Sequence, residues 1–216
     1  LFLDILYFSS SILGMLIAKM CKKHTIVDLS SRKYNNIRKE IWLSQISIFV
    51  FSLQAIKLAW LYNTHCFTLQ ISSRWWEVVI EVFLLFLWNE LHFYLNHRLL
   101  HNKVLYKEIH HIHHQSTVPT PFSTFSFHWI EAFMLGSVIF LPAIIYDFHV
   151  VSIISLPVMS AVLNVLGHWN IDLFPSLPTN HWARFSYRHS LHHAKVTGNY
   201  GFFLSTFDYL FKTKLK

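Results

Sequence analysis

Three histidine clusters carry the chemistry written into this chain: His97-Arg98-Leu99-Leu100-His101, His110-His111-Ile112-His113-His114 and His189-Ser190-Leu191-His192-His193. On a helix, positions four apart are offset by about 40° and positions three apart by about 60° the other way. His97 and His101 therefore share a face. His110, His113 and His114 form a triangle on one face, and His189, His192 and His193 repeat it. Neighbouring imidazoles at this spacing can hold a metal ion between them. Eight clustered donors are too many for one ion, because zinc takes about four and octahedral iron about six, so two metals sharing the set is the simplest count. A carboxylate di-iron bundle does not fit. It needs paired Glu-x-x-His motifs, and the chain offers only Glu108-x-x-His111. His111 points about 100° away from His110 and falls outside the site.

Further donors grade off from this set. His168 directly follows an apolar stretch and is expected as a ninth ligand. Glu90 lies seven residues before His97, on its face, where a carboxylate can receive an imidazole N–H; a charge snorkelling to the membrane interface is the competing reading. His92 sits about 140° from His97 and would need a helix break to ligate. His128 and His181 are left open, and His24, His65 and His149 stand alone as surface residues.

The composition describes the elements that must position these groups. Hydrophobic residues make up 53% of the 216 and charged residues 13%, against roughly 25% charged in a soluble domain. Twenty phenylalanines and eight tryptophans exceed what one small core hides, and a bilayer can cover the surplus. Two cysteines exclude a disulfide scaffold and a multi-cysteine metal site. No Gly-x-Ser-x-Gly, Gly-x-Gly-x-x-Gly or P-loop occurs, which removes serine hydrolase, dinucleotide-binding and NTPase readings.

Leu1 to Ala18, Val78 to Leu95, Trp129 to Tyr146 and Val150 to Gly167 read as membrane spans. A fifth, Ile41 to Leu61, is interrupted by Gln45, Gln54 and Lys57. The expected fold is all-α: an integral membrane bundle of four to five spans with a helical cap that carries the di-metal site. Residues 1–76 form N-terminal spans and a basic loop, and residues 77–216 a catalytic domain. No basic segment precedes Leu1, so a cleavable signal peptide is not expected. Lys22, Lys23, Arg32, Lys33, Arg38 and Lys39 fill the first loop, Arg74 stands alone in the second, and Arg98, Lys103 and Lys107 follow the third span. Arg184, Arg188, Lys195, Lys212, Lys214 and Lys216 mark the tail. This alternation puts the histidine clusters in the cytosol. The net charge of +7 fits anionic headgroups and calls for no nucleic acid. Thr117-Val118-Pro119-Thr120-Pro121 breaks the helix after the second cluster, and Gly198-Asn199-Tyr200-Gly201 signals a turn.

From about residue 80 to 212 the chain resembles the membrane fatty acid hydroxylase and sterol desaturase superfamily. The resemblance rests on Glu90, Tyr94, His97-Arg98 and His101, then His110, His113-His114-Gln115, Pro119-Thr120-Pro121, His128 and Glu131. It continues through Gly167-His168, Asp172-Leu173-Phe174-Pro175, His189, His192-His193, Asn199-Tyr200-Gly201 and Phe207-Asp208. It implies two iron ions (or zinc, as purified), O₂ as co-substrate, and hydroxylation or desaturation of a lipid C–H bond of sterol or fatty-acyl type. The implied ligands are His97, His101, His110, His113, His114, His168, His189, His192 and His193, with Glu90 and Tyr94 as catalytic residues. Electrons would come from a cytochrome b5 or ferredoxin type donor, in the endoplasmic reticulum of a eukaryote or the inner membrane of a bacterium. Fatty acid 2-hydroxylases of this family place a second histidine where this chain has Asp172, and the Pro119 to Glu131 stretch looks more like the sterol C5-desaturase branch. Trp129, Phe122, Phe125, Phe127, Trp169 and Trp182 are candidates to line the lipid's path. A membrane zinc-dependent hydrolase would need far fewer histidines, and a metal transporter or store would need ionisable groups near mid-membrane.

Overall fold

The computed structural model describes residues 1–20, 25–26 and 36–215. Cys21, Lys22, Lys23, His24, Arg32, Lys33 and Lys216 lie outside the described residues. Three long helices come first: α1 (Phe2–Met20), α2 (Ile37–Asn63) and α3 (Trp75–Leu100). A short α4 (Lys103–Leu105) runs into a π-helical turn (Tyr106–His110) and α5 (His111–His114). After a 3₁₀ turn at Pro121–Ser123 come α6 (Trp129–Gly136), a second 3₁₀ turn (Ser137–Ile139) and α7 (Phe140–Ile145). α8 (Val150–Gly167), α9 (Phe185–Lys195) and α10 (Thr206–Leu210) complete the chain. The described residues form no strand, only two isolated β-bridges.

α1, α2, α3 and α8 are long and apolar enough to cross a membrane, and the protein is an integral membrane protein. The interrupted Ile41–Leu61 stretch is part of the 27-residue α2. Several of its polar residues point inward: Glu40, Ser44, Ser47 and Gln54 are buried, and Gln54 Nε2 donates to the Phe133 carbonyl at 2.8 Å, whereas Lys57 is exposed. Trp42, Phe49, Ile56 and Trp60 face outward. Lys57 apart, the middle of the helix is thus apolar outside and polar within, as lipid as the outer solvent demands.

The Trp129–Tyr146 stretch differs from the expected continuous span. A 3₁₀ turn divides it, leaving 17 helical residues in three pieces. It still carries the chain across. Gln70, just before α3, bridges His149, just before α8, while the far ends of these helices meet at the histidines. Two helices that start at one end and finish at the other require the segment between them to return. α3 and α8 pack along each other, and α2 packs along α6. Tyr7 of α1 and Ile48 of α2 share a buried cluster with Phe125, Phe127, Ala132 and Ala161, so the first two helices complete one core with the later chain.

Candidate metal centre

α3 ends at His101, and its last two turns present His97 and His101 to the cap. The π-helical turn widens the backbone just before His110, and such turns recur at functional sites. α9 ends at Val196, whose left-handed backbone (φ 65°) turns the chain sharply. Gly198 follows at φ 67°, where a Cβ would lie 2.8 Å from the Thr213 carbonyl oxygen, so only glycine fits there without strain.

Two groups of nitrogens result. His97, His101, His110, His114 and His192 form one; His113, His168, His189 and His193 form the other, with the ligand atoms of each group within 4.8 Å of one another. The two groups together contain all nine histidines expected as ligands. The sharing differs from the sequence reading, in which each H-x-x-H-H triangle acts together. His110 and His114, four apart, enter the first group while His113 enters the second; His189 and His193 enter the second while His192 enters the first. The 40° offset keeps a pair four apart in one group, and the member between them turns toward the neighbouring group.

The donor chemistry fits metal ions. Nδ1 of His97, His168, His192 and His193 donates to the carbonyls of Tyr200, Asn164, Gly198 and Ser116 at 2.9, 2.7, 2.6 and 3.1 Å. His110 Nδ1 donates to Glu131 Oε1 at 2.8 Å. A carbonyl only accepts, so Nδ1 of each of those rings carries the proton and its Nε2 is a bare lone pair. Yet Nε2 atoms converge: His192 lies 3.1 Å from both His101 and His114, and His168 lies 3.1 Å from His189 and 3.3 Å from His113. His192 and His168 thus each aim a bare lone pair at two neighbouring Nε2 atoms, and a shared cation would accept all of these nitrogens at once. The spacing suits the task, since two metal–nitrogen bonds of about 2.1 Å at a right angle set nitrogens about 3.0 Å apart.

Burial keeps these rings neutral. It pushes His168 down to about 4, and His101, with help from the neighbouring His97, down to about 2. His110, His113, His114, His189, His192 and His193 are held well below the ordinary histidine value, first by burial and then by neighbouring imidazoles. Only His101 is half-buried; it faces an open groove lined by Arg98, Asn102, Tyr200 and Thr213.

Glu90 and Tyr94 stand elsewhere than expected. Glu90 touches no imidazole; its Oε2 accepts from the Leu204 amide at 2.7 Å. Tyr94 stacks on Phe211 and its hydroxyl meets Thr213 Oγ1 at 3.1 Å. Both fasten the C-terminal segment to α3. Asp208 tightens the same segment by accepting from the Tyr200 and Gly201 amides at 2.8 Å each and from Thr213 Oγ1 at 2.7 Å. The segment then offers the Tyr200 and Gly198 carbonyls to His97 and His192. The carboxylate beside an imidazole is Glu131. A lone acidic residue three places after His128 was the available signal for it; backbone carbonyl partners leave none. Glu40 of α2 accepts from Ser116 Oγ and Thr120 Oγ1 at 2.7 Å each, fixing the loop whose Ser116 carbonyl orients His193.

The remaining described histidines stay out of both groups. His128, His149 and His181 cap helices by accepting backbone N–H bonds at Nδ1, and His92 Nε2 meets Ser137 Oγ at 3.3 Å. His111 is outside, as its angle implies. Asp172 accepts from Arg184 at 2.6 Å in a buried ion pair. A narrow pocket reaches His97, His110, His113, His168 and His189 between Phe93, Phe127, Leu135, Asn164 and Glu131. Of the six aromatics expected along a lipid path, only Phe127 lines this pocket. Trp129 and Trp182 are exposed, and Phe122 and Phe125 pack against Tyr7.

Residues 82–213 match the family model described as fatty acid hydroxylase. Methylsterol monooxygenase 1 of Gallus gallus is 27% identical over 82% of this chain and 64% of its own length. Lathosterol oxidase of Homo sapiens is 24% identical over 81% of this chain and 60% of its own length. A Delta(7)-sterol 5(6)-desaturase of Gibberella zeae is 29% identical over 62% of this chain and 37% of its own length. The chain thus spans less than two thirds of these curated relatives. No solved structure matches it. With a match over more than half of its residues, the chain belongs to the fatty acid hydroxylase and sterol desaturase superfamily.

Proposed function

We propose that the protein is a di-iron, O₂-dependent oxidoreductase that hydroxylates or desaturates a sterol-type lipid, taking electrons from a cytochrome b5 or ferredoxin type donor. The observation that carries this reading is the division of nine histidines, eight of them buried, into two adjoining groups of candidate ligand nitrogens. The names of the relatives, two sterol oxidases and a sterol desaturase, support the substrate class. His97, His101, His110, His114 and His192 would hold one iron and His113, His168, His189 and His193 the other; iron so held supplies O₂-dependent attack on an unactivated C–H bond. The protein's share is geometry and exclusion of water. Carbonyl and carboxylate partners lock the imidazole tautomers, and Phe93, Phe127 and Leu135 give the pocket an apolar wall against which a hydrocarbon can lie. The exposed apolar faces of α1, α2, α3 and α8 let a lipid arrive without entering water.

The histidine end faces the cytosol on this reading. Arg38, Lys39, Lys103, Lys107 and Lys195 gather at that end, whereas Arg74 is the one Lys or Arg among residues 64–74 and 146–149 at the other. The test is lipid mass spectrometry of cells making the protein or its His113→Ala variant. The reading expects a sterol that gains one oxygen or loses two hydrogens only with the wild type. Identical sterol profiles would contradict it, and a changed fatty-acyl profile would move the substrate to that class.

A further inference from the structure

We infer that Glu131 makes the two metal positions unequal, giving the five-histidine position the stronger donor set; this rests on the two-metal reading above. Nine neutral imidazoles bring no charge to offset two cations. Among the described residues, Glu131 is the one carboxylate hydrogen-bonded to any of the nine: its Oε1 accepts from His110 Nδ1 at 2.8 Å, with both side chains 1% exposed. The partners of His97, His168, His192 and His193 are neutral carbonyls instead. A bound cation favours the ionised form of a carboxylate beside it. A carboxylate behind a ligating imidazole fixes its tautomer and makes it a more basic ligand.

His110 belongs only to the five-membered group, so this added donor strength reaches one position and not the other. The carboxylate has no second anchor, since Oε2 is buried without a hydrogen-bond partner, and its one polar contact is the imidazole. Glu131 is therefore a positioning residue acting through His110. The five-histidine position fills first and releases its ion last.

Metal-free protein in detergent, titrated with Zn²⁺ by calorimetry, tests this. Wild type should take up two ions in two steps of different affinity. Glu131→Gln keeps the shape and an acceptor but removes the charge. It should weaken the tighter step about 10–100-fold and leave the weaker step and the helical circular dichroism unchanged. Co²⁺ titration of the wild type provides a reading that needs no variant: absorption bands of the higher-coordinate ion should appear before those of the four-coordinate one. An unchanged variant, equal weakening of both steps, two equal steps in the wild type, or four-coordinate Co²⁺ appearing first would each overturn the role of Glu131 while leaving two metals in place. A wild type that binds no ion would overturn the metal reading itself.

Discussion

The Nε2 atoms of His114 and His192 lie 3.1 Å apart although 78 residues separate them in the chain. One comes from α5 and the other from α9, and His192 is the one histidine of α9 in the first group. The π-helical turn and α5 together give two nitrogens to the first group and one to the second, and α9 gives one and two. α3 adds two to the first group, and His168, at the end of α8, adds one to the second. No single helix builds either position, so the site exists only when the cap has closed on the ends of α3 and α8.

This sharing makes ligand removal selective. His193→Ala strikes the four-membered group alone and His101→Ala the five-membered group alone. Each variant, purified without oxygen, should fall from two bound metals to about one and lose lipid oxidation. Metal analysis by plasma mass spectrometry measures this. Retention of two metals by either variant would show that its histidine is not a ligand.

Asp208 should matter although it touches no ligand. Its carboxylate holds the Tyr200 and Gly201 amides and thereby the carbonyls offered to His97 and His192. Bonds to a charged acceptor contribute about 1.5–3 kcal/mol each, so Asp208→Ala should lower the melting temperature. It should also speed metal loss to a chelator, as loss of an outer partner costs about 10–100-fold in affinity. Thermal melts and chelator-release rates check both effects; unchanged release would confine Asp208 to stability.

Acid should dismantle the site. The buried histidines have folded values lowered from 6.5, to about 4 for His168 and about 2 for His101. A lowered histidine binds its proton first in the unfolded chain, so its contribution to stability is complete above about pH 6.5 and shrinks as pH falls toward the folded value. Metal binding runs the same way, because only the neutral ring ligates. Stability and metal content should therefore decline together between about pH 6.5 and 4, measured by melts and metal analysis after equilibration. A site stable to pH 4 with its metals gone would separate the two.

The sequence reading singled out the nine histidines that the fold gathers because histidine spacing on helices is a local property, and His97, His101, His110 and His114 announce it directly. It placed the elements well for the same reason, since apolar runs report a span without knowledge of its neighbours. It treated Ile41–Leu61 as interrupted because Gln45, Gln54 and Lys57 look costly in lipid; the bond of Gln54 to the Phe133 carbonyl answers for one of them, and Lys57 stays exposed. It assigned Glu90 to an imidazole from its helical phase, but phase says nothing of the C-terminal segment that packs there and offers the Leu204 amide. The splitting of each histidine triangle between two positions was also hidden, because it depends on where α5 and α9 meet.

The most direct test of the central claim is Mössbauer and X-ray absorption spectroscopy on protein purified without oxygen and loaded with ⁵⁷Fe. The account predicts about two irons per chain, in two distinct environments, each surrounded by nitrogen or oxygen donors with the scattering pattern of imidazole and no sulfur. One iron per chain, or iron without imidazole scattering, would contradict it.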